Sequence, residues 1–265
     1  VSREAHAADA VVLRQVAYRE SDLILTLLCR ELGVVSALAR GARRSRKRFG
    51  GALGLFTVSR VELSRRAGAE MYTLASADPV RVHMELATDM VALQHASYAT
   101  ELVRELSHPE QAEPGLFDLL TELYTTMSDL GPSVSMLRAF ELALLAELGL
   151  APVLDGCVGC GEADPAELAD GAVLDPARGG VACARCAADS RSLGVRMLSA
   201  PARELLCAAQ RADRLADVHD RGTDPGPAAR EARDALMSTI LAHVGRPLRS
   251  LEFAAKLSGA TSRDS

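Results

Sequence analysis

Two short pairs, Cys157-Val158-Gly159-Cys160 and Cys183-Ala184-Arg185-Cys186, set the strongest constraint in this sequence: C-x2-C, a 22-residue spacer, then C-x2-C. Within each pair a tight turn lets two sulfurs face one ion, and Gly159 and Gly161 relax the backbone there. Two such turns supply four thiolates, the tetrahedral set that zinc takes at about 2.3 Å. Four protein ligands leave no open position for water, so the reading is one structural Zn2+ held by Cys157, Cys160, Cys183 and Cys186. The ion would replace the apolar core that an insert of roughly 35 residues cannot build. Two disulfides, or four unrelated buried thiols, are the competing readings. Cys29 and Cys207 sit in apolar contexts and read as buried packing.

The compartment bears on that choice. "VSREAHAADAVVLRQ" lacks the apolar stretch and cleavage site of a signal peptide, and no apolar run approaches the ~18 residues that would span a bilayer. A cytoplasmic chain with no membrane association is the expectation, and there cysteines serve as thiols or metal ligands before disulfides.

Around the cysteines the periodicity changes twice. Residues 10–18, 22–33, 34–42, 55–66 and 70–80 read as strands separated by turn signals at Glu31-Leu32-Gly33, Gly50-Gly51 and Ala67-Gly68-Ala69. Five short strands in about 80 residues suit a small closed barrel, which leaves no exposed edge. Helical spacing then runs through 85–107, 115–131 and 133–150, with Ser133 as an N-cap and Gly149 as a stop. It resumes at 200–212 and 227–245. The sequence therefore predicts an α+β multidomain chain: a barrel over 1–80, a helical body over 81–150 and 193–260, the metal-binding insert over 151–192, and a disordered tail over 261–265.

The second constraint is charge. "RGARRSRKRFGG" places Arg40, Arg43, Arg44, Arg46, Lys47 and Arg48 within nine positions of a chain whose formal net charge is -5. Residues 1–80 carry 13 Lys and Arg against 8 Asp and Glu, whereas 81–265 carry 17 against 27. A polyanion would thus be attracted to one end only. A charge run is ordinarily a solvated face, but this one lies in a loop between strands and contains almost no compensating acid. Guanidinium groups bind phosphate bidentately, and aromatic faces can stack on unpaired bases. Phe49, Phe56 and Tyr72 lie nearby in sequence, Phe56 reading as core. The six cations are the candidate nucleic-acid contacts.

Catalytic patterns are missing. The sequence has no Walker loop, G-x-G-x-x-G, G-x-S-x-G, H-E-x-x-H or zinc-deaminase signature, and its six histidines are scattered. The chain reads as a non-enzyme. A transcription or translation factor combining an OB-fold with a zinc ribbon, and binding RNA, is the alternative from another class.

Four stretches in order, "VVLRQVAYRESDLILTLLCRELGVVSALARGARRSRKRFGGAL", "LRAFELALLAELG", the paired C-x2-C with "LDPARGGVACARC", and "GRPLRSLEF", resemble the RecO family of bacterial recombination-repair proteins. The resemblance spans nearly the whole chain. It implies an N-terminal OB-fold, a helical body and a zinc-binding insert. It also implies a mediator, acting in the cytoplasm at the nucleoid, that binds single- and double-stranded DNA and anneals complementary strands. With RecR, such a mediator helps RecA replace the single-stranded-DNA-binding protein SSB. By position, Arg43, Arg44, Arg46, Lys47 and Arg48 look like part of its DNA surface, and Arg138 in "LRAFE" like a contact for the acidic SSB C-terminal tail.

Overall fold

The bulge between Val12 and Arg14 lets one long strand serve two neighbours. In the computed structural model, which describes residues 3–161, 168, 171–188, 193–219 and 226–253, β1 (Arg3–Tyr18) pairs through Arg3–Val11 with β4 (Thr57–Arg66). Through Ala10–Tyr18 it pairs with β2 (Asp22–Cys29). An extra residue bends a strand and increases its twist, and this bend is what closure requires. With β3 (Gly33–Ala39) and β5 (Tyr72–Val82), the strands close in the order β1-β2-β3-β5-β4, with β3 and β5 parallel. That is the five-stranded OB-fold.

Alternation places the core. Leu25, Leu27 and Cys29 of β2 point inward with Val35, Ala37 and Ala39 of β3 and with Val61, Leu63 and Leu74. Burial pushes the Cys29 thiol up to about 12, aided by Glu31, which fixes it as a neutral packing group. One end of the barrel is filled from the β3–β4 connection: Phe49, at the end of the one-turn helix α1 (Arg46–Phe49), together with Ala52 and Leu53.

The chain divides between Gly131 and Pro132 into two compact units. In the first, the barrel is followed by α2 (Glu85–Thr88), α3 (Met90–Leu106) and α4 (Pro114–Leu130). The helical run predicted over 85–107 breaks at Asp89, whose carboxylate caps α3 by accepting the Ala92 N–H at 2.7 Å. Tyr124 of α4 is fully buried, with Phe56 edge-on at 5.4 Å and its hydroxyl 2.5 Å from Thr100. Arg30 grips Asp118 of α4 through two hydrogen bonds of 2.9 and 2.8 Å.

The second unit begins with α5 (Val134–Glu147), capped by Ser133 as the sequence predicts. A three-stranded sheet follows, ordered β7 (Gly180–Ala182), β6 (Ala172–Asp175), β8 (Arg196–Leu198), with the turn helix α6 (Ala184–Ala187) after β7. α7 (Ala200–Gln210) and α8 (Gly226–Val244) complete it. Glu231 of α8 accepts both the Ser199 N–H at 2.6 Å and its hydroxyl at 2.7 Å, which fastens the start of α7. The tail expected over 261–265 lies outside the described residues, as do 162–167, 169–170 and 189–192 of the insert.

Gly33 is the backbone position with least freedom. Its φ is +69°, and a Cβ there would lie 1.8 Å from the Gln111 carbonyl oxygen. Gly33→Ala should therefore cost about 2–4 kcal/mol of unfolding free energy, read as a lowered urea midpoint with unchanged m-value.

Candidate functional site

Backbone hydrogen bonds bring the two cysteine turns together. The first turn is laid along β7: Val158 N–H donates to Val181 O at 2.9 Å, and Val153 exchanges bonds with Gly179 O and the Val181 N–H at 2.9 and 2.8 Å. β7 leads straight into Cys183, so its pairing with β6 carries the second turn back over the first. The four sulfurs of Cys157, Cys160, Cys183 and Cys186 lie within 4.8 Å of one another. A tetrahedral ion with sulfurs at about 2.3 Å needs edges of about 3.8 Å, and the set fits that size. Cys157 and Cys183 are buried, Cys186 half-buried and Cys160 exposed.

The surroundings favour charged sulfur at Cys157, whereas hydrogen bonding to the Cys183 and Cys157 sulfurs pushes the Cys186 thiol up to about 12. Burial pushes the Cys157 thiol up, but the N–H groups of Cys183, Cys160 and Gly159 outweigh it and bring the thiol down to about 6. Donors from Gly159 and Cys183 each lie 3.3 Å from its Sγ. Arg178 donates from Nη1 to Cys186 O at 3.0 Å. Its Nη2 lies 2.7 Å from where a Gly159 Cβ would stand, so one guanidinium touches both turns. Four thiolates this close repel one another unless a cation is shared between them, and the cluster can hold a metal ion.

The basic segment is held mainly through backbone atoms, with carboxylates at Asp22 and Glu20. The Arg43 N–H donates to Ser21 O at 3.0 Å and Arg43 Nη1 to Glu20 O at 3.2 Å, which ties the segment to the β1–β2 loop. Gly41 N–H donates to Asp22 Oδ1 at 2.8 Å. Arg48 folds back: Nη2 donates to Arg40 O at 2.6 Å, and its guanidinium lies 4.9 Å from the Phe49 ring centre. Arg44 faces Glu20 at 3.6 Å, with both side chains largely exposed. Arg40 and Lys47 are exposed and pair with no carboxylate among the described residues. Arg46 opens α1, and its side chain lies outside what is described.

Phe49, Phe56 and Tyr72 are all buried, at 4%, 3% and 4% exposure, so none of the three offers a face to a base. What the sequence did not reveal is a groove of about 380 Å3 in which Arg40 is joined by Arg66, Met71 and Leu38. Parallel pairing of β3 with β5 creates it, and no local pattern announces that pairing.

Arg138 lies on α5 and is buried, with Nη1 2.9 Å from Glu141 Oε2. Its Nε has no hydrogen-bond acceptor among the described residues.

An OB barrel that carries outward cations, in one chain with a four-cysteine metal-ligating module and a helical body, defines a distinct class of two-unit OB-fold protein. The model for "Recombination protein O N terminal" matches residues 4–83, and the model for "Recombination protein O C terminal" matches 87–252. The chain belongs to the RecO family of DNA repair proteins. It is 42% identical over 245 residues to the DNA repair protein RecO of Anaeromyxobacter sp. (strain Fw109-5), covering 92% of this chain and 93% of that one. The RecO proteins of Geobacter sulfurreducens and Myxococcus xanthus are 38% and 36% identical, with 94% and 96% of this chain and 97% and 98% of theirs covered. These relatives do not favour the RNA-binding factor. No helix among the described residues is long and apolar enough to cross a membrane.

A methyl group on Gly159 would meet Cys186 Cβ at 2.6 Å and its Sγ at 2.8 Å. Gly159→Ala should therefore lower the metal content of the purified protein below that of the unsubstituted chain, measured by elemental analysis.

Proposed function

We propose that this chain is a non-enzymatic recombination mediator that gathers DNA on the cationic face of its OB barrel, binding single and double strands and annealing complementary ones. The observation that carries the reading is the basic segment's bonding. Arg43 and Arg48 are fixed through carbonyl oxygens, which leaves their charge uncompensated, and Arg40 and Lys47 form no ion pair among the described residues. Uncompensated guanidinium groups on a fixed loop attract phosphate without reorganisation. Two strands gathered on such a surface repel one another less, so complementary bases pair without ATP.

Membership of the RecO family supports the reading of the partners. Together with RecR, the chain would help RecA load onto DNA covered by SSB, working in the cytoplasm at the nucleoid. Arg138 is proposed as the contact for the acidic SSB C-terminal tail. An incoming carboxylate would exchange with Glu141 and take up the spare Nε donor. One Zn2+ would occupy the four cysteines in a structural role, since four sulfur ligands leave no site for a reacting water. When bound, it would offset two of the four thiolate charges, and Cys157, Cys160, Cys183 and Cys186 would hold the two turns at fixed separation.

If the six cations each neutralise one phosphate, the logarithm of the binding constant should fall with that of salt at a slope of about -4 for single strands. Between 50 and 200 mM salt this is a loss of up to about 300-fold. Replacing Arg43, Arg44, Arg46 and Arg48 by Ala should reduce the slope to about -1.4, measured by fluorescence anisotropy titration. An unchanged slope would remove this loop from the DNA surface.

A further inference from the structure

We propose that Tyr18, on the outward face of β1, β2 and β3, stacks against an unpaired base and so distinguishes single-stranded from double-stranded DNA on the barrel. This rests on the DNA-binding reading above and specifies the strand state that the barrel takes. The unit Val1–Gly131 contains seven aromatic residues, and six of them are buried: Phe49, Phe56, Tyr72, Tyr98, Phe117 and Tyr124. Tyr18 is the exception at 40% exposure, so any base that stacks on an aromatic ring of this unit meets Tyr18. The Arg19 guanidinium lies over that ring, 5.3 Å from its centre, so a cation for the phosphate covers one face and a base would take the other.

Strand register puts the ring on a continuous face. Opposed residues of neighbouring strands point to the same side. Tyr18 stands opposite Asp22, Val16 opposite Ile24 and Arg14 opposite Thr26; Ile24 and Thr26 in turn stand opposite Leu38 and Ser36 of β3. Their alternates Leu25, Leu27, Ala37 and Ala39 fill the core, so this face looks outward. Arg14, Val16 and Tyr18 are all exposed. The Asp22 carboxylate is committed to the Gly41 N–H, which places Tyr18 beside the start of the basic segment.

At its far side the face reaches Leu38 and Arg40, which enter the 380 Å3 groove with Arg66 and Met71. Glu70 is the single acid lining that groove, against two arginines. From β1 across β2 and β3 to β5 is three inter-strand spacings, about 14 Å. Ring, aliphatic surface and cations therefore alternate along one path, which suits an unstacked strand whose bases and phosphates are presented separately. A duplex keeps its bases stacked on one another and offers none to Tyr18. This path also lies between the β1–β2 and β4–β5 loops, where OB-folds hold oligonucleotides.

The test uses the full chain and an oligothymidylate of about 16 nucleotides, with a duplex of equal length as comparison. Tyr18→Ala should weaken oligothymidylate binding by about 5- to 150-fold, leaving the salt slope and the duplex affinity as in wild type. Tyr18→Phe, which keeps the ring, should bind as wild type does. The chain contains no tryptophan, so Tyr18→Trp adds a single reporter whose emission should be quenched by the oligonucleotide. Equal binding of wild type and Tyr18→Ala, an equal loss for duplex, or unquenched Trp emission at saturation would overturn the stacking role and leave the DNA-binding reading intact. A wild-type chain that binds neither DNA would overturn both.

Discussion

The seating of Phe49, Ala52 and Leu53 in the barrel core is the interaction on which the rest depends. A nine-position run of cations would repel itself into an extended, mobile loop if nothing held it. Here its C-terminal end is buried in apolar contact and its N-terminal end leaves β3 as part of the sheet. Between these anchors the loop is bonded to Glu20 and Ser21 of the β1–β2 loop and to Asp22 at the start of β2. The aromatic residue that closes the basic run is thus an anchor and not a stacking platform. Burying one phenyl ring contributes about 1.5–3 kcal/mol, enough to offset the ordering of a few residues.

The molecule separates its arginines into two kinds. Arg30, Arg60 and Arg65 face the carboxylates of Asp118, Asp9 and Glu110. Such exposed or half-exposed pairs add little stability each, but they cancel charge locally. Arg43 and Arg48 of the loop bond to carbonyl oxygens instead, and a carbonyl fixes direction while leaving the unit charge in place. An acidic chain can therefore present one positive surface. The metal cradle gathers charge of the other sign: the Gly159 and Cys183 N–H groups point at the Cys157 sulfur, and Arg178 holds the second turn through the Cys186 carbonyl.

Much of this was legible in the sequence. The four cysteines follow from spacing alone, and α4 and α8 fall within one residue of the helical readings at 115–131 and 227–245. Ser133 and Gly149 were readable because capping and a positive φ of 70° are local demands. β1 was underestimated: it starts at Arg3, not residue 10, because "REAHAAD" carries small alanines where an apolar alternation would be sought. Ala8 and Ala10 are nonetheless buried, opposite Val61 and Ser59 of β4. Asp89 ends one helical reading and starts another, a break visible only once its carboxylate is seen capping α3.

The candidate surface was legible in its charge and not in its shape. Arg40, Arg43, Arg44 and Arg48 are adjacent in sequence, whereas Arg66, Met71 and Tyr18 join them only through barrel closure. The most direct measurement is the side-chain Nε–H NMR spectrum of the arginines during titration with oligothymidylate. The account predicts that resonances of Arg40, Arg43, Arg44 and Arg48 move together while Arg30 and Arg65, already held by Asp118 and Glu110, stay in place. Stationary loop resonances at saturating DNA, with movement elsewhere, would contradict it.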